Sequence, residues 1–391
     1  MSAVSGAKVK YDAAEPKKAP VRAVLSAIVL FAVAAALIAG AVRGELLPPG
    51  LARAWDSLTG RDREALFLFE DGFDDVFADL GSAVVSAGTL GVAVYGGTGG
   101  ETARESFAMA NPAIASKGAL AVVYDAGGRS VKVVDGSGVV ASLPFESAVV
   151  SCSVGSGGIF AVTTRGTGVY KGRVEFFKLT GGVPEIIYDW SSRWPVLGAA
   201  VSRSGKLFAA LTLTAQGGRI VLMERRLEEP RGEYVHQGGT IFEMTFMDSG
   251  TLIARADKEL ISISENGEGR IIYDFNGREL DGYSGDGGAF IVMHFARPGG
   301  GGELVTVDER GAELGRLETS SGLVWLSASG DRVAVLQSDG LDIYDRELRL
   351  VSSYPEASGA SAAFPRGGGA ASALGAREGR VLSGKKAGAG G

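Results

Sequence analysis

The chain predicts an all-β fold, an eight-bladed β-propeller preceded by one transmembrane α-helix, and three observations predict it. Glycines recur in turn-like settings at Gly81, Gly118, Gly158, Gly205, Gly250, Gly288, Gly330 and Gly369, spaced 37, 40, 47, 45, 38, 42 and 39 residues apart. Most carry a short, Ser-rich approach and an apolar strand behind them, as in "SRSGKLFAAL", "MDSGTLIARA" and "SASGDRVAVL". A strand-rich period of about 40 residues with no helical pattern fits a four-stranded blade and excludes the helical solenoids. Third, the run "AVLSAIVLFAVAAALIAGAV" between Arg22 and Arg43 holds 20 residues without a charge. At about 1.5 Å per residue it reaches across a hydrocarbon core of about 30 Å.

The elements follow in order. Residues 1–22 form a basic leader, with Lys8, Lys10, Lys17, Lys18 and Arg22 against Asp12 and Glu15, a balance of +3 that leaves −9 for the rest of a −6 chain. The lysines precede the membrane helix at 23–42, so the leader is expected in the cytoplasm and the propeller outside, with the lipid bilayer as the helix's partner. The alternative is a signal peptide cleaved after small residues at Ala39–Ala41, which would release a secreted protein. Residues 43–64 read as a stalk: Pro48 and Pro49 end the helix, and a short amphipathic piece carries Trp55.

The propeller is assigned to 65–383. The lone strand "ALFLFE" comes first, and blades then begin near 109, 148, 195, 239, 280 and 322, after a first blade built from "DDVFADLG" to "ETARESFAM". The last segment, Ala360–Ser383, offers three strands, and Leu66–Phe69 supplies the fourth, closing the ring and removing two exposed edges. Seven blades is the alternative count. The tail at 384–391, "GKKAGAGG", is expected to be disordered.

Chemistry is sparse. An acidic ectodomain without a basic stripe excludes nucleic acid as a partner. Cys152 is the only cysteine, so no internal disulfide or thiolate cluster forms, and it reads as a small strand residue in "AVVSCSVG". His236 and His294 both sit in strand patterns without a third ligand, so no metal site is expected. "GYSGD" at Gly282–Asp286 places Asp where a nucleophile elbow needs glycine, "DGYSGDGG" at Asp281–Gly288 lacks calcium-loop spacing, and "YGGTGG" at Tyr95–Gly100 is not a phosphate cradle. No catalytic residue, cofactor or metal is therefore assigned. Asp125, Asp135, Asp189, Asp274, Asp308 and Asp345 each end a strand and are expected to cap turns by accepting the N–H two residues on. The segment "YDWSSRWPV" gathers Trp190, Arg193 and Trp194 at a blade connection; these are the residue types that anchor interfaces, and they form the candidate partner-binding site.

The order of leader, helix, stalk and propeller, with Asn111-Pro112 entering a blade, the Tyr170-Lys171 hairpin before "VEFF" and Trp190 ahead of "VSRSGKL", resembles a clostridial (Firmicutes) family of single-pass membrane-anchored β-propeller proteins of unknown function. The resemblance spans nearly the whole chain and implies topology and location, with no site. More distantly the blades look like quinoprotein-like, WD40-like and outer-membrane-assembly propellers, but the adjacent cysteine pair and tryptophan docking repeat of quinoprotein dehydrogenases are missing, so no quinone is implied. The expected function is a non-catalytic binding or scaffold module of the cell envelope, engaging an envelope protein or wall polymer. The alternative is an extracytoplasmic hydrolase or lyase acting on wall glycan or peptide with carboxylates at the channel mouth.

Overall fold

The second strand of most repeats is largely apolar on both faces, a pattern that a sheet covered on one side cannot satisfy. The computed structural model describes residues 66–69, 75–97, 99–286 and 288–383. The leader, membrane helix, stalk and tail expected from the sequence lie outside the described residues. Among the described residues no helix is long and apolar enough to cross a membrane.

Eight four-stranded antiparallel sheets form the blades of a closed ring. Their innermost strands are Val76–Asp79, Pro112–Lys117, Val149–Val154, Val196–Val201, Ile241–Phe246, Glu279–Ser284, Leu323–Ser329 and Ala362–Pro365, numbered here as blades 1 to 8. Each of the eight repeated glycines lies in the turn between the first and second strands of its blade, with positive φ from 60° at Gly330 to 93° at Gly250. The eight-blade count stands.

The second strands explain the apolar pattern. Ile159–Arg165 is buried at every position but the last. Alternate side chains go to different seams: Phe160 and Val162 pack toward blade 2, and Ile159 and Ala161 toward blade 4. The core is accordingly divided into eight buried clusters, one between each pair of neighbouring blades.

Blade 8 is completed from the other end of the chain. Leu66–Leu68 pairs antiparallel with Glu378–Leu382, setting Phe67 opposite Gly379. Phe67 is fully buried with Phe69, Tyr95, Val84, Ala93 and Leu374, so one aromatic cluster joins the last blade to the first. A Cβ on Gly379 would press on both phenylalanine rings. Polar contacts reinforce the same seam. Asp79, with its side chain 5% exposed, accepts from Arg366 Nε at 2.7 Å and Nη2 at 3.1 Å, from Gly81 N at 2.6 Å, and from Ser372 Oγ.

The turn aspartates divide. Asp135, Asp274, Asp308 and Asp345 accept the N–H two residues on, at 2.8, 2.6, 2.9 and 3.0 Å. Two depart from the expectation. Asp125 instead accepts from Ala110 N and Asn111 N, tying down the entry to blade 2, because its strand ends beside that connection. Asp189 lies within the outer strand Val183–Ser192, which runs past it, and pairs with Arg173 at 3.2 Å.

Candidate functional site

All eight innermost strands run in the same direction along the channel, so equivalent positions of the repeats converge only in the folded ring. In blades 3 to 7 the pairing of the first strand skips one residue near its start, at Val150, Leu197, Phe242, Asp281 and Val324. Such a bulge turns a side chain out of the blade-to-blade seam. Asp281 and Val324 accordingly line the channel, and Leu197 and Phe242 are exposed.

A cavity of about 700 Å³ occupies the part of the channel bounded by blades 1, 2, 6, 7 and 8. Its apolar wall is Trp325, 36% exposed, set edge-on to Phe364 with ring centroids 5.8 Å apart. Its charged groups are Asp79, Lys117, Asp281, Asp286 and Arg366. Three of these are engaged. Asp79 and Arg366 hold one another, and Asp281 is pinned by the fully buried His294, whose Nδ1 donates at 2.5 Å while Nε2 lies 2.8 Å from Thr319 Oγ1. Because both ring nitrogens of His294 are used and the ring has no exposed surface, it orients Asp281 instead of meeting a ligand.

Lys117 and Asp286 differ. Each follows or ends an innermost strand, in blades 2 and 6, which are diametrically opposite in a ring of eight. Enclosure within the channel pushes the Asp286 carboxyl up, against the opposing pull of Lys117 across the channel and the Ser284 hydroxyl. Near it, Glu243 is partly open to solvent yet crowded by protein, and that enclosure raises its carboxyl, with Arg255 at 3.5 Å opposing and Asp286 adding to the rise. Arg255 lies over the rings of Phe242 and Tyr283 at 5.2 and 5.3 Å. Tyr283 Oη and Arg255 Nε are buried with no hydrogen-bond partner among the described residues. The cavity wall at blade 6 thus presents the carboxyl groups of Asp281 and Asp286, and the wall at blade 2 presents one ammonium.

The residues singled out from sequence lie elsewhere. Trp190 is half-buried and packs on the core between blades 3 and 4, beside Phe176 and Phe208. Arg193 and Trp194 are exposed at the connection into blade 4, with Trp194 N donating to Ser192 Oγ at 3.0 Å. A second cleft of about 650 Å³ opens between blades 2 and 3, lined by Phe145, Tyr170, Arg173, Glu175 and Ile186 among others. Cys152 is half-buried, and its enclosure pushes the thiol well up, away from reactivity. Among the described residues no group of three or more His, Cys, Asp or Glu is placed to hold a metal ion.

Sequence reasoning missed Lys117, Asp286 and Trp325. It weighed "DGYSGDGG" as a catalytic or calcium loop, whereas the segment is an innermost strand and the start of its turn. Counting back from each repeat glycine to the end of the preceding strand was the available signal.

The fold and channel define an eight-bladed β-propeller. A family described as "Family of unknown function (DUF5711)" matches residues 68–223, under half of the chain. The sequence matches none of the curated proteins. Among solved structures the chain is similar to the computationally designed Ika8 protein, at 15% identity and TM-score 0.60, covering 82% of this chain and 100% of that one. It is also similar to Sqt1 of Saccharomyces cerevisiae, at 11% identity and TM-score 0.57 over 82% and 98% of the two chains. The C-terminal WD40 domain of Sif2 matches at 15% identity and TM-score 0.56, over 82% and 97%. At these identities the likenesses show the fold alone.

Proposed function

We propose that the chain is a non-catalytic binding module of the cell envelope, anchored by residues 23–42 with its propeller outside the membrane, and that its ligand enters the central channel. The observation that carries this reading is the cavity itself: a pocket with exposed aromatic surface and two charged groups, Lys117 and Asp286, that no ion pair at contact distance neutralises among the described residues. Pockets of about 300–1,000 Å³ with a few convergent polar groups are the usual form of a small-molecule or peptide site. Arg193 and Trp194 stand at the surface and provide a second contact for an envelope protein or wall polymer.

Photo-crosslinking in intact cells tests it, with the probe at Trp325 in the channel and, separately, at Trp194. Capture of a defined envelope component from Trp325 supports the channel reading; capture from neither position overturns the binding module. Location is tested by a membrane-impermeant maleimide on a Cys152→Ser, Asp331→Cys variant. Labelling in intact cells supports the outside placement, and labelling only after lysis overturns it.

A further inference from the structure

The cavity has an address as well as a volume. A ligand that satisfies Asp286 must present a cation, and one that satisfies Lys117 must present an anion on the far side. Among the described residues Lys117 has no carboxylate at contact distance; the field it exerts falls on Asp286 across the channel. The blade 6 side carries two carboxyl groups, Asp281 and Asp286, so the cation belongs there. Trp325 and Phe364, on blades 7 and 8, lie between the two along one side of the cavity and offer an apolar surface.

We propose, resting on the channel reading above, that the ligand is a short zwitterionic peptide, its amino terminus on Asp286, its carboxylate on Lys117 and an apolar side chain against Trp325. A free amino acid carries both charges on one carbon and cannot meet both walls. An extended residue spans about 3.3–3.6 Å, so a peptide of two or three residues sets its termini roughly 6–10 Å apart, the range in which opposed charges interact without touching. A cavity of about 700 Å³ holds such a chain. Charge-assisted hydrogen bonds at both ends fix its length and direction.

The test is calorimetric titration of the full-length protein in detergent with alanyl-phenylalanyl-alanine. One-to-one binding is expected. Lys117→Met and Asp286→Asn each weaken it roughly tenfold or more. Acetylating the amino terminus or amidating the carboxyl terminus has the same effect on the wild type, and phenylalanine alone does not bind. Thermal unfolding of each variant shows that the fold is retained. Absence of binding, or binding indifferent to both variants and to blocked termini, overturns the peptide assignment. If the peptide fails while crosslinking from Trp325 still captures a component, the channel remains a binding site and only the ligand class is wrong; if both fail, the channel reading falls with it.

Discussion

At Gly330 an added Cβ meets nothing within 4 Å, so replacing it with alanine isolates the cost of left-handed backbone at φ 60°. Gly330→Ala is expected to lower stability by about 1–2 kcal/mol in urea unfolding. Gly311→Ala should cost more, because its Cβ would drive into the Ile272 carbonyl. Glu303 gives a pH prediction. Burial raises its carboxyl, but hydrogen bonds from Arg316 and Arg278 outweigh that and hold it below the usual range. A carboxylate depressed in the folded state contributes stability above its unfolded pKa, about 4.3, and loses it as pH falls through the folded value. The melting temperature should therefore drop on acidification through and below about pH 4, less steeply in Glu303→Gln. Asp286 has the opposite sign. Its carboxyl is raised, so Asp286→Asn removes a charge that its surroundings disfavour and should leave the neutral-pH melting temperature unchanged or higher while weakening peptide binding about tenfold or more.

The strand Leu66–Leu68 is three residues long, yet it completes a blade and buries Phe67 on a seam. Phe67→Ala is expected to cost about 3–5 kcal/mol, as large-to-small changes in tight cores do. Deleting 66–69 should also expose the outer edge of Glu378–Leu382 and produce concentration-dependent self-association in size-exclusion chromatography. This element was legible in the sequence, because a three-strand final blade and an orphan apolar strand complete one another. So were the eight turns, since a positive-φ glycine is a local requirement repeated in every blade. Asp189 was not legible, because the length of the outer strand that carries it past the turn depends on pairing with Arg173 and its neighbours. Nor were the bulges that release Asp281 and Val324 toward the channel. Lys117 and Asp286, separated by half of the propeller, meet one cavity only when the ring closes, and no local spacing encodes that.

Across the whole molecule, closure rests on one seam built from both ends of the propeller segment. Asp79→Ala leaves the largely enclosed Arg366 unpaired and should cost about 3–5 kcal/mol. Combined with Phe67→Ala it should be non-additive, since both act on the junction of blades 8 and 1; a double-mutant cycle in urea measures the coupling. The other seven seams join blades that are consecutive in sequence and need no such clasp. The closing strand is also the one that continues into the segment carrying the apolar run at 23–42. Any tension transmitted along that segment is therefore applied first to the three-residue pairing of Leu66–Leu68 with Glu378–Leu382, and only then to the ring. If residues 23–42 are held and load is applied through them, the strand Leu66–Leu68 is expected to peel before any other blade is strained, with the buried Phe67 and the Asp79–Arg366 pair setting the force required.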